Sequence, residues 1–281
     1  MRRPPLTALS RNMHRSLKAR QIEEGFEAVA RDDVNALRTL LEEGLSPDAV
    51  HPAPEDLAMA RELAGESRFR YRTELALSSV QNRMPLLLAA AQALRAPRSG
   101  NLAPVEVFRL LLEKGANGRC TDAAGNTVLH VLASSREAGM ALTWALQAGA
   151  VASARNRAGA SPFHALACSS GFKDALCGDV IDPWLSLGLD PNAPDKRGRT
   201  PLDAAVSVAA PCAASLVALV AAGCRWTTLA LSRARRLCAR KEGAWQSLQS
   251  SLEAFDLEQM LATPIPVSST IPGAPTPRPR L

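Results

Sequence analysis

Three nine-residue stretches share one pattern: "DAAGNTVLH" at 122–130, "NRAGASPFH" at 156–164 and "DKRGRTPLD" at 195–203. Each reads Asp or Asn, two residues, Gly, one residue, Ser or Thr, Val or Pro, Leu or Phe, then His or Asp. The copies start 34 and 39 residues apart. Self-similarity at this spacing limits the fold more than any total does. A unit this short cannot bury an apolar face by itself, so successive units must stack and share one core.

Each position has a physical task. Asp or Asn followed three residues on by Gly suits a tight turn. Thr127, Ser161 and Thr200 are placed as helix N-caps, whose hydroxyl accepts from a free backbone N–H of the first turn. Pro162 and Pro201 fall at the first helical position, where a missing N–H costs nothing. The closing residue, His130, His164 or Asp203, stands three after the cap, and Thr200 with Asp203 makes a capping box. A second marker recurs: Gly44, Gly115, Gly149, Gly188 and Gly223 each follow a Leu/Val/Ala-rich run, as a left-handed C-terminal cap does. One unit is therefore turn, capped helix, loop, second helix, glycine. Ala and Leu abound while aromatics are 4% of the chain, so the expected class is all-α.

These residues resemble the ankyrin repeat, whose signature is a "G-x-TPLH-x-A" turn and helix followed by a second helix ending in "LL-x-x-GA". The resemblance spans about 24–224 and implies an all-α ankyrin-repeat solenoid, built of helix–turn–helix repeats with short β-turn tips. Five repeats are expected, at 23–48, 83–117, 122–150, 156–190 and 195–224. In the second, "RMPLLLAAA" replaces the motif, and Met84 cannot cap. The resemblance also implies that His130 and His164 tie their own turn and the neighbouring repeat by hydrogen bonds, with Asp203 in place of a third. His14 and His51 fall in an arm and a loop and offer no partner.

Departures from the unit mark the remaining organisation. Residues 49–82 form either an insertion from the first turn or a degenerate repeat, with one helix expected at 54–64 and an Arg-rich stretch (Arg68, Arg70, Arg72) after it. Surplus loop is expected between helices at 94–104 and 169–182. Two C-terminal capping helices, 227–240 and 242–262, occupy 225–262, because the last repeat of a stack needs a polar-faced cover. The tail, 263–281, holds six prolines and reads as disordered. The arm, 1–22, places Leu6, Leu9, Met13 and Leu17 on one helical face and reads as a cap helix covering the first repeat or as a loose basic arm. An organelle presequence, an anionic-surface helix and a bacterial secretion leader are its other readings.

Charge and cysteines bound the function. Six cations and no acid lie in the first twenty residues and two more cations in the last four, so of the net +6 the stretch 21–262 nets −2. A nucleic-acid partner inferred from the pI of about 9.3 is poorly founded. The six cysteines, at 120, 168, 177, 212, 224 and 238, form no C-x-x-C and read as reduced thiols of a cytosolic protein. The uncharged run 204–224 has the length of a membrane span, but the repeat register splits it into two helices around Pro211.

No phosphate loop, nucleophile elbow or zinc-binding HExxH motif is present. His164 and Cys168 lie one helical turn apart, yet both fall at repeat core positions. The chain thus reads as a non-enzymatic, monomeric, cytoplasmic module without metal or cofactor, binding a partner protein through its turn tips and first helices. Stacked tips place Arg119, Arg155, Arg157, Lys196, Arg197 and Arg199 in one ridge, a docking strip for an acidic partner surface. The alternatives are a secreted bacterial effector delivered to a host cell, an inhibitor or immunity partner of a toxin or enzyme, and binding of nucleic acid or anionic membrane through the arm and 233–241.

Overall fold

The computed structural model describes residues 6–51, 84–94, 103–133, 135, 138–169, 177–209, 211–240 and 245–262. Among the described residues lie twelve helices and no strand: α1 (Leu6–Ala30), α2 (Val34–Glu42), α3 (Leu86–Ala93), α4 (Ala103–Glu113), α5 (Val128–Leu132), α6 (Ala138–Gln147), α7 (Pro162–Ala167), α8 (Cys177–Leu185), α9 (Pro201–Ala205), α10 (Ala213–Ala221), α11 (Thr228–Arg240) and α12 (Gln246–Ala262). Extended pairing among the described residues is confined to two isolated bridges, Val50–Pro85 and Thr121–Thr127.

The helices sort into two layers. Odd-numbered helices stack in one row, each against the next, and even-numbered helices stack in a second row behind it. The shared core runs between the rows from Ala28 to Leu252 as one cluster, with Leu37, Phe108, Leu129, Phe163, Trp184 and Leu202 among its fully buried members. The first-layer helices α5, α7 and α9 have only five or six residues. Helices this short are unstable alone in water, so capping and the neighbouring units hold them.

Second-layer helices end as their glycines require. Gly115 has φ +88°, Ala116 N–H donates to Leu111 O and Gly115 N–H to Leu112 O, which is the Schellman pattern. Gly44, Gly149, Gly188 and Gly223 also have positive φ. The thirteen residues of α11 and the seventeen of α12 pack on each other and on α9 and α10, in the place expected for the C-terminal capping helices.

Several boundaries differ from expectation. Helix α1 crosses 22/23 without a break, so the arm and the first unit share one helix. The stretch 169–182 is not all loop, because α8 starts at Cys177. The N-cap of α3 is Pro85 rather than Met84, with no side-chain bond. The free N–H of Leu86 is instead met by Ala49 O at 2.8 Å. His51, expected to lack a partner, packs edge-on against Phe26 with ring centroids 4.9 Å apart. The helix expected at 54–64, Arg68, Arg70, Arg72 and the tail 263–281 lie outside the described residues.

Across the 52–83 stretch the chain ends meet. His51 N–H donates to Met84 O at 2.9 Å, and α1 and α2 pack directly on α3 and α4. No helix among the described residues is long and apolar enough to cross a membrane. The uncharged run 204–224 is divided between the end of α9 and α10.

Candidate interaction surface

The three motif turns are superimposable in their bonding. Asp122 Oδ1 accepts from Ala124 N–H and Asn126 N–H, both at 2.8 Å. Asn156 Oδ1 accepts likewise from Ala158 and Ala160, and Asp195 Oδ1 from Arg197 and Arg199. A short acceptor side chain thus closes each turn on itself. Burial opposes the Asp195 carboxylate, but the Arg199 N–H, the Arg199 guanidinium and the Arg197 N–H together hold its pKa below the usual value.

Successive tips are bonded through the backbone: Arg157 N–H donates to Ala124 O, and Lys196 N–H to Ala158 O, each at 3.0 Å. Gly159 is required here twice over. Its φ is +77°, and a Cβ would meet Lys196 N at 2.8 Å.

The two histidines extend this ladder inward. Thr127 N–H and its hydroxyl donate to His130 Nδ1 at 3.2 and 2.9 Å. With Nδ1 an acceptor, Nε2 carries the proton and donates to Ala160 O of the next turn at 2.9 Å. His164 repeats the arrangement with Ser161 (3.1 and 2.9 Å) and Arg199 O (3.0 Å). Both rings are buried, each about 4% exposed. Desolvation lowers both pKa values, against the raising effect of the carbonyl each ring faces. Both nitrogens are satisfied only in the neutral ring, which leaves no lone pair for a metal or a substrate proton.

Asp203 closes the series with the opposite polarity. Its Oδ2 accepts from Thr200 N–H at 2.9 Å and Thr200 hydroxyl at 3.0 Å, while Oδ1 accepts from the Thr227 hydroxyl. Thr227 in turn caps α11, accepting from Ala230 N–H at 3.0 Å. No turn follows Asp203 to supply a carbonyl, so an acceptor replaces the imidazole donor.

The structure brings the six tip cations to one edge and divides them. Arg155 donates to Gly159 O (2.9 Å) and Pro194 O (2.8 Å), bridging two turns. Lys196 Nζ donates to Arg157 O (2.8 Å), Arg119 Nε to Gly149 O (3.2 Å), and Arg199 Nε and Nη2 both donate to Asp195 Oδ2 at 3.0 and 2.8 Å. These four serve as internal clamps. The exposed guanidinium groups of Arg157 and Arg197 make no hydrogen bond or ion pair among the described residues.

A second set of latches was missed in the sequence. Asp48 Oδ1 accepts from Asn117 N–H (2.7 Å), and Asn192 Oδ1 from Arg225 N–H (2.7 Å). Asn192 Nδ2 also donates to Gly223 O at 2.9 Å, as Arg119 does to Gly149. The visible signal was the shared spacing of "GLSPD" (44–48) and "GLDPN" (188–192), an acceptor four residues after the unit's closing glycine.

Elsewhere, Cys168 follows His164 by one turn, but that ring is taken up by Ser161 at Nδ1 and Arg199 O at Nε2. Desolvation raises its thiol pKa despite Arg199 nearby, whereas a reactive cysteine needs the value lowered. Burial pushes Cys120 and Cys224 up to about 12. No cluster of three or more His, Cys, Asp or Glu able to hold a metal ion occurs among the described residues. No protein-family model matches the chain, and no curated protein matches it.

Proposed function

We propose that the chain is an ankyrin-repeat-type interaction module of five helix pairs with 52–83 inserted at the first turn. It holds a partner protein against the turn tips and first-layer helices and catalyses no reaction. The observation that carries this is the histidine bridge: His130 and His164 each span from their own helix cap to a carbonyl 30 and 35 residues on. Side chains spent on unit-to-unit bonds make a rigid platform, and a pre-ordered surface loses little conformational freedom on binding. The direct seating of α1 and α2 on α3 and α4, joined by Asp48 and Asn117, favours an insertion over an extra unit.

The test is affinity capture with the full chain, since α1 runs through residue 21 and a truncation there would cut it. Recovery of one discrete protein at fixed stoichiometry from the native cell, reproduced with both purified components, is the expected result. Turnover of a small molecule by the purified chain, abolished by changing His164 or Cys168, would overturn it.

A further inference from the structure

Building on that reading, we propose that the edge formed by the tips of the three motif turns and the first-layer helices α5 to α11 docks an acidic protein segment, with Arg157 and Arg197 as its principal contacts.

From α5 onward the first-layer row carries exposed charge of one sign. Among the described residues, α5, α7, α9 and α11 present no exposed carboxylate, because their one acid, Asp203, is buried and bonded to Thr200 and Thr227. Asp122 and Asp195 close their own turns. Exposed acids lie elsewhere: on α4 (Glu106, Glu113), α8 (Asp182) and α12 (Glu253), and also on α1 (Glu24, Glu27), on α2 (Glu42) and at Asp190 after α8. Among the described residues the tip cations form no ion pair except that of Arg199 with Asp195. Arg233 of α11 reaches across to the Ser207 hydroxyl at the end of α9, and exposed Arg236 follows one turn along. The cationic row therefore continues past the last turn.

Arg157 and Arg197 differ from their neighbours in being unspent. The other four tip cations each commit at least one donor to a carbonyl or to Asp195. These two project from adjacent turns that repeat about every 10 Å, the packing distance of the helices beneath. Two guanidinium forks at that spacing match carboxylates about two turns apart (i, i+7) on a partner helix, or about three residues apart along an extended chain, and Arg binds carboxylate bidentately.

A protein segment fits better than nucleic acid. Single-stranded binding uses exposed aromatic platforms, and the large exposed apolar side chains among the described residues are Leu17, Val50, Met140, Val151 and Leu229, none aromatic. Two free guanidinium groups a full unit apart are also too sparse to track phosphates spaced a few ångströms apart.

The test is fluorescence anisotropy on the full chain with three labelled probes: a fifteen-residue peptide with Glu at every third or fourth position, its Gln counterpart, and a fifteen-nucleotide single-stranded RNA. The variants are R157E/R197E, the milder R157Q/R197Q, and R38E on the exposed face of α2 as control. We expect the Glu peptide to bind in a salt-dependent manner and the Gln peptide at least tenfold more weakly. R157Q/R197Q should weaken the Glu peptide about tenfold and R157E/R197E further, with R38E unchanged. Equal binding of the Glu and Gln peptides, no binding of the Glu peptide, or variants equal to wild type would overturn the proposal. Tighter binding of the RNA, lost in the same variants, would assign the edge to nucleic acid instead. A discrete protein captured equally by wild type and R157Q/R197Q would leave the interaction module standing and remove only this docking edge.

Discussion

Asp203 accepts a hydrogen bond from Thr227 at the place where His130 and His164 donate to the next turn. The reversal follows from what lies ahead of each residue: a turn carbonyl for the histidines, a helix-capping hydroxyl for Asp203. The pair should therefore be energetically coupled. D203A and T227V are each expected to cost about 1–3 kcal/mol, since each leaves a buried polar group unpaired. The double variant should cost less than the sum, as a denaturant double-mutant cycle would measure. Strict additivity would show that the two residues act independently.

The histidine bridges make stability depend on pH. Both folded-state pKa values lie below the unfolded value of about 6.5, through desolvation first. The unfolded chain then binds more protons below that pH, so the contribution is complete above about 6.5 and is lost as pH falls towards the folded values. Thermal unfolding between pH 7.5 and 5 should show a falling midpoint in the wild type. In H130Q/H164Q, which keeps a capping acceptor without a titrating ring, this part of the slope should disappear.

Gly159 and Gly198 give a controlled comparison. Both have positive φ, +77° and +73°, but a Cβ at Gly159 would strike Lys196 N at 2.8 Å whereas one at Gly198 meets nothing within 4 Å. G198A should cost only the left-handed penalty of about 1–2 kcal/mol. G159A should cost distinctly more, because it also pushes two turns apart. Equal losses in chemical denaturation would mean that the tips are not held in register.

The division of the tip cations also predicts stability. R155A removes two donors to carbonyls of different turns and should destabilise by about 1–2 kcal/mol. R157A should stay within about 0.5 kcal/mol of wild type, as exposed substitutions without partners do. Similar effects for both would erase the distinction between clamp and free cation.

Much of this was legible because the motif residues act locally. A cap, a turn acceptor and a C-terminal glycine each show in a few neighbouring positions, so Thr127, Ser161, Thr200 and the five glycines could be assigned one by one. The stacking order followed from the period alone. What was not legible depends on distant partners. Arg155 looks like a free surface cation until Pro194 O is placed beside it, 39 residues away. Asp48 pairs with Asn117 across 69 residues; the acceptor's place four residues after Gly44 was visible, its partner was not. The continuity of α1 through 22/23 was missed because the charge shift there suggested a boundary that the backbone does not need.

The most direct test of the account is the state of the two imidazoles. A long-range proton–nitrogen NMR spectrum of the full chain at pH 7.5, with H130Q and H164Q for assignment, reads the tautomer of each ring. The prediction is that both carry the proton on Nε2, with titration midpoints below 6.5 and the N–H shielded from rapid exchange. Rings protonated on Nδ1, or titrating at or above that value, would mean that His130 and His164 do not bridge successive units, and the platform on which the proposed function rests would not exist in this form.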